Sequence, residues 1–268
     1  ICDECPILGD NDSGIFLKFF PGQERNRHGY LSFLFDSLTG DKSEPSDFEE
    51  FLCSIHFKQS QLPERSGVQR QNESGCGHLQ VREFDGLIIS KHQSEAISFN
   101  TLHSSQGHTH NDKLSIYPVI GRHPLFIDRG SFSYTGFGDK RHKDRMTSSH
   151  NGPVVNGWEQ NTIWKDDLYY MNGEARCASS VGNKDNILTI TGWHNGYRRY
   201  RKNLDTFRKI KWDTKERTML ITDWIEGNAS RESFHFTWHF LIHPSWGGVM
   251  RDGCLALTFQ NQTVYFED

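Results

Sequence analysis

The densest run of chemistry-bearing side chains in this chain is Gly107-His108-Thr109-His110-Asn111-Asp112. An apolar stretch follows, then Ile127-Asp128-Arg129-Gly130 and Ser149-His150-Asn151-Gly152. In an extended strand, residues two apart share a face, so the spacing predicts that His108, His110 and Asp112 project from one side of a sheet. Two imidazoles and a carboxylate match the donor preferences of zinc, and His110, Asp128 and His150 are the residues that would supply them. The competing reading is a polar strand face turned to water beside two unrelated turns. Spacing alone does not separate the two.

Other segments carry weaker signals. Tyr197-Arg198-Arg199-Tyr200-Arg201-Lys202 interleaves cations with aromatics, as a surface gripping an anionic sugar would, but a solvated hairpin edge explains it equally well. His235, His239 and His243 fall four apart, which on a helix would form a metal row. The alternation of Phe234, Phe236, Trp238, Phe240 and Ile242 instead predicts a strand with aromatics inward and the histidines opposite. The six cysteines are too dilute for a disulfide scaffold, and Cys2-x-x-Cys5 has no second CxxC to complete a zinc site.

The elements that must position these residues change character along the chain. Residues 28–38 and 46–57 show helical periodicity, the second opened by Ser46 with Glu49 in capping-box order. Residues 61–78 are polar and glycine-rich, as a loop would be. From residue 79 onward, runs such as LQVREF, GLIISKH, AISFNTL, LSIYPVI, PLFIDRG, ILTITGW and TMLITDWIE are β-branched or aromatic. They recur about every ten residues without intervening helical segments, which predicts antiparallel sheets packed as a β-sandwich. The expected organisation is a helical segment over 1–60, a loop over 61–78 and a β-sandwich over 79–268.

Composition narrows the function classes. A formal charge of −4 argues against nucleic-acid binding through global basicity. No apolar run reaches the roughly 18–20 residues of a membrane-spanning helix. The 34 aromatic residues (19 Phe, 7 Trp and 8 Tyr) compensate for an apolar share of 35% with large side chains able to build a core. The chain starts at Ile1 with no visible signal peptide, as a fragment or processed product would.

The stretch QGHTHNDKLSIYPVIGRHPLFIDRGSFSYTG, followed by SSHNGPVVNG, resembles the C-terminal β-domain of the heparinase II/III-like polysaccharide lyases. The family pattern runs G-H-x-H-x-D, an apolar strand, x-D-x-G-x-x-x-Y and H-N-x-V-x-x-G. Arg129 and Gly152-Pro153 depart from it, since proline and threonine are usual there. The resemblance implies that the 1–60 segment is the remnant of an upstream α/α toroid. It also implies a zinc ion on His110, Asp128 and His150, a cleft-facing His108, and Tyr134 near a β-domain tyrosine of the family. Asp112 would orient a neighbouring imidazole or form a plain strand-end hydrogen bond. The implied activity is β-elimination on an acidic, uronate-containing polysaccharide of heparin, heparan or alginate type, in a bacterial periplasm or outside the cell. Most proton-transfer groups would lie on the toroid, leaving this segment alone inactive. The alternative is a non-catalytic, zinc-stabilised carbohydrate-binding module. A cupin-like metal oxygenase ranks third, because the glutamate expected shortly after its HxH is missing.

Overall fold

A computed structural model describes residues 79–84, 86–102, 108–131, 138–227 and 233–267. The helices expected at 28–38 and 46–57, the 61–78 loop, Cys2-x-x-Cys5 and Tyr134 lie outside the described residues.

The β-branched runs form two antiparallel meanders. Strands β1 (Gln80–Phe84), β2 (Leu87–His92), β3 (Glu95–Asn100), β4 (Ile116–Ile120) and β5 (His123–Pro124) pair in chain order. A helix, α1 (Gly138–Arg145), and a short strand, β6 (Pro153–Val155), come next. The second meander contains β7 (Cys177–Lys184), β8 (Ile187–His194), β9 (Asp205–Asp213) and β10 (Thr218–Glu226). Strict alternation along β8 turns Leu188, Ile190 and His194 inward. Ile88, Ile97, Phe99 and Ile116 of the first sheet meet Leu188, Ile190, Ile210 and Trp212 of the second in one buried cluster. The two sheets therefore form an antiparallel β-sandwich, and burying each large apolar side chain contributes about 1.5–3 kcal/mol. Gly192 marks a close approach between them, because a Cβ there would lie 2.5 Å from the Phe99 ring.

Two smaller sheets complete the described architecture. Strand β11 (Phe236–Trp238) pairs with β6, and β12 (Gly247–Arg251), β13 (Cys254–Phe259) and β14 (Gln262–Phe266) form a third meander. From the latter, Leu255, Leu257, Phe259, Val264 and Phe266 extend the same core. Among the described residues, no helix is long and apolar enough to cross a membrane.

Three local expectations are corrected. The β-rich half is not free of helix: α1 has the sequence GDKRHKDR and buries Arg141, Asp144 and Arg145 instead of an apolar stripe. Its polarity hides it from a search for helical hydrophobic periodicity. PLFIDRG is strand only at its start, with a single further bridge between Phe126 and Ile242. Around the histidine triplet, only Phe236–Trp238 forms a strand. Phe234, Phe236, Phe240 and Ile242 are half-buried, as is His239, whereas Trp238 faces solvent with His235.

Candidate functional site

The His108–Ser115 segment is a loop between β3 and β4, not the strand its alternating pattern predicts. His108 and Leu114 adopt left-handed backbone conformations, with φ of +67° and +66°, which break an extended run. The Leu114 N–H donates to Asn100 O at 2.7 Å, and the Ser115 N–H to Asp112 O at 3.1 Å. His108, His110 and Asp112 consequently share no sheet face. His108 is exposed, while His110 is fully buried and Asp112 nearly so.

His110, Asp128 and His150 converge from three separate segments. One donor atom from each lies within 4.8 Å of the others, and all three residues are buried. Asp128 follows the Phe126 bridge, whereas His150 caps the short 3-10 turn Thr147–Ser149. The His150 Nδ1–H donates to Asp128 Oδ2 at 2.6 Å, and Tyr117 OH donates to the same oxygen at 2.9 Å. The Gly130 N–H closes on Oδ1 at 2.8 Å. Burial alone would raise the Asp128 pKa, but the His150 charge and these hydrogen bonds outweigh it and hold the carboxyl below its usual range. At His150 burial opposes the charged form, and the Asp128 carboxylate reverses that effect and moves the imidazole upward. Burial, then the Asp128 charge, pushes the Tyr117 hydroxyl well above its ordinary value, so it remains a donor.

The donor chemistry fits a zinc ion. It combines two imidazoles with an ionised carboxylate, and the buried His150 Nε2 has no hydrogen-bond partner among the described residues. Ser131 Oγ stands 3.5 Å from His110 Nε2 and receives a 3.4 Å hydrogen bond from Arg141.

Polar side chains outside the sheets fix these loops. Glu159 accepts from Asn111 Nδ2 at 2.7 Å and from the Thr147 N–H at 2.8 Å. Gln160 exchanges hydrogen bonds with the Lys113 backbone N–H and C=O, both at 3.0 Å. Asn161 donates its N–H to Asn111 Oδ1 at 2.9 Å. Gly152, where the resembled pattern has threonine, is required by packing: a Cβ there would sit 2.9 Å from Lys113 O. Arg129, at the usual proline position, turns outward and pairs with buried Asp144 at 3.4 Å.

The remaining signals resolve differently. Arg198 and Arg199 lie in a 3-10 turn, Gly196–Arg199, between β8 and β9. Their guanidinium groups pair with Asp205 and Glu174, each at 2.6 Å. Cys177 and Cys254 are free thiols. Sequence reasoning missed Tyr117, Ser131, Arg141 and the 159–161 segment. Tyr117 lies in an apolar strand run and carries no pattern that marks it. Asp112 contributes its backbone carbonyl to the turn, and its charge helps raise the His150 pKa.

A β-sandwich carrying a buried His-Asp-His cluster on its connecting loops is the class of domain defined here. The model of the heparinase II/III-like C-terminal family matches residues 39–267, so the chain belongs to that family. Among solved structures, it is similar to a heparan sulfate lyase HepC mutant from Pedobacter heparinus, at 14% identity and a TM-score of 0.59 over 96% of this chain and 35% of that one. A heparinase III with methylated lysines matches at 16% identity and a TM-score of 0.57, over 95% and 34% of the respective chains. Another heparinase III gives 13% identity and a TM-score of 0.51, over 84% and 34%. These likenesses establish a shared fold, and this chain spans about a third of the length of those structures. No curated protein matches.

Proposed function

We propose that this chain is the β-domain part of a polysaccharide lyase that acts by β-elimination on a heparan-like, uronate-containing polymer, in a periplasmic or secreted setting. Its companion is an upstream α/α toroid carrying further proton-transfer groups. The observation that carries this reading is the buried His110-Asp128-His150 cluster, with exposed His108 two residues away, in a member of the heparinase II/III-like family. The solved structures it resembles include a heparan sulfate lyase.

His110, Asp128 and His150 would hold zinc, which when bound supplies a fixed positive charge tying three loops together. Tyr117, His150 and the Gly130 N–H orient the Asp128 carboxylate. β-Elimination requires removal of the uronate C5 proton and protonation of the leaving glycosidic oxygen. The ring nitrogens of His108 are suited to carry one of those protons, and the family resemblance implies a similar role for Tyr134.

Elemental analysis and an ultraviolet assay for the 4,5-unsaturated product, both on the full-length protein, test the proposal. About one zinc per chain is expected, and His110→Ala should lose metal and thermal stability together. His108→Ala should retain both while turnover falls about 10²–10⁴-fold. Metal-free wild-type protein would overturn the zinc assignment. Hydrolytic or oxidised products would overturn the lyase class, and polymer binding without turnover would favour a zinc-stabilised binding module.

A further inference from the structure

The 164–172 loop contains no regular strand or helix, yet buried charged residues brace it. Arg145, fully buried, donates to Asp167 O at 2.9 Å and to Tyr170 O at 2.7 Å. Arg141, also buried, bonds Leu168 O, and His142 Nε2 lies 2.9 Å from Lys165 O. Asp167 Oδ1 accepts the N–H groups of Tyr169 and Tyr170 at 2.9 and 2.8 Å. Despite this rigid backbone, Trp164 is 52% exposed and Tyr170 is 61% exposed. They line a solvent-open cavity of about 340 Å³ with Lys165, Asp166, Asp167, Met171 and Asn172. The loop adjoins His108, the proposed proton carrier: the His108 N–H donates to Tyr169 O at 2.8 Å, and the two rings lie 5.3 Å apart.

We propose that this cavity is a sugar-binding subsite that seats one uncharged N-acetylhexosamine residue of the polymer against Trp164 and Tyr170. The inference rests on the proposed polysaccharide-lyase reading and adds a specificity element to it. Rigid aromatic faces suit the apolar C–H face of a pyranose ring, since their ordering cost is met before the ligand arrives. The polar lining selects the kind of sugar. At the surface of the cavity Asp166 and Asp167 set two carboxylates beside the ammonium of Lys165, while the Arg145 guanidinium lies buried behind the loop backbone. The Tyr170 and Tyr169 N–H groups hold the Asp167 carboxyl below its ordinary range, so it is an acceptor for sugar hydroxyl or acetamido donors. The same charges disfavour a sulfated or uronate residue at this position. In an alternating polymer, the neutral amino sugar occupies this cavity while an acidic residue lies elsewhere in the cleft.

The test uses full-length protein with unsulfated oligosaccharides of alternating glucuronate and N-acetylglucosamine, compared with heavily sulfated heparin oligosaccharides of the same length. Trp164→Ala and Tyr170→Ala should each raise KM and calorimetric Kd for the unsulfated series about 10-fold, with kcat within about twofold. Trp164→Phe should recover most of the loss, and the penalty should shrink for the sulfated series. Tyr265→Ala, which removes an equally exposed aromatic on β14, serves as the control. Unchanged KM and Kd in the loop variants, or a change no larger than the control's, would overturn the subsite. So would an altered melting temperature or oligomeric state with unchanged sugar binding, because the aromatics would then be covered by protein. Unsaturated product formed without regard to Trp164 or Tyr170 overturns the subsite and spares the lyase reading. Sugar binding that depends on Trp164 but yields no unsaturated product does the reverse.

Discussion

Replacing Tyr117 by phenylalanine isolates one hydrogen bond to the centre of the His-Asp-His cluster. Tyr117 is 4% exposed, and its hydroxyl lies 2.9 Å from Asp128 Oδ2. Phenylalanine preserves the ring volume, so no large cavity penalty accompanies the loss. A hydrogen bond to a charged acceptor contributes about 1.5–3 kcal/mol. Asp128 keeps the His150 Nδ1–H at 2.6 Å and the Gly130 N–H at 2.8 Å, so the expected cost lies at the lower end, about 1.5–2 kcal/mol. In a domain of this size that corresponds to a melting-temperature fall of about 3–8 °C. If zinc binds as proposed, loss of this orienting bond should also weaken the metal about 10–100-fold, measured by competition with a chelating dye. Tyr197→Phe is the internal comparison, since its hydroxyl makes a long 3.4 Å bond to the neutral Pro153 carbonyl and should cost under about 1 kcal/mol. Equal melting temperatures for the two variants would refute the reasoning about Asp128.

Other perturbations test the scaffold. Arg208→Met should cost about 3–5 kcal/mol in urea denaturation because it strands Asp223 in the interior, and adding Asp223→Leu should restore much of the loss. Gly152→Ala should destabilise by about 1–3 kcal/mol, as its Cβ would press on Lys113 O. Burial, assisted by Lys113, lowers the His194 pKa from 6.5 to about 3. The unfolded chain therefore takes up a proton below about pH 6.5 that the fold refuses until about 3, and stability falls as pH drops through that window. Between pH 7.5 and 5.5, wild type should lose about 1.4 kcal/mol more than His194→Gln, and parallel pH profiles would contradict the assignment.

The strands that could be read from the sequence were those in which apolar periodicity and inward direction coincide. Ile88 in β2 and Leu188 with Ile190 in β8 follow that rule. Strand β9 is less legible because Thr206 and Arg208 occupy inward positions beside Ile210 and Trp212. Arg208 is buried there by its bond to Asp223 and by donating to the carbonyls of Leu114 and Asn151, partners invisible to a local pattern. Helix α1 was hidden for the same reason. At the site, the ordered histidine and aspartate motif pointed to the three residues that converge. The alternation around His108 misled, because a left-handed backbone conformation does not announce itself in a histidine. Tyr117, Arg141 and Glu159 gain their importance from contacts formed only after the chain has folded.

The clasp made by residues 159–161 has a consequence for how the molecule breathes. Backbone N–H groups at Lys113, Thr147, Gln160 and Asn161 are all held by side-chain acceptors rather than by a strand ladder. Their release requires several distant segments to part together, since no single turn contains both donor and acceptor. In deuterium-exchange measurements these loop amides should therefore exchange slowly and in concert, as a cooperative unit comparable to the sheets beneath them. Glu159→Gln, which weakens the grip on Asn111 and Thr147, should speed exchange across the whole group while the amides of β8 and β9 remain slow.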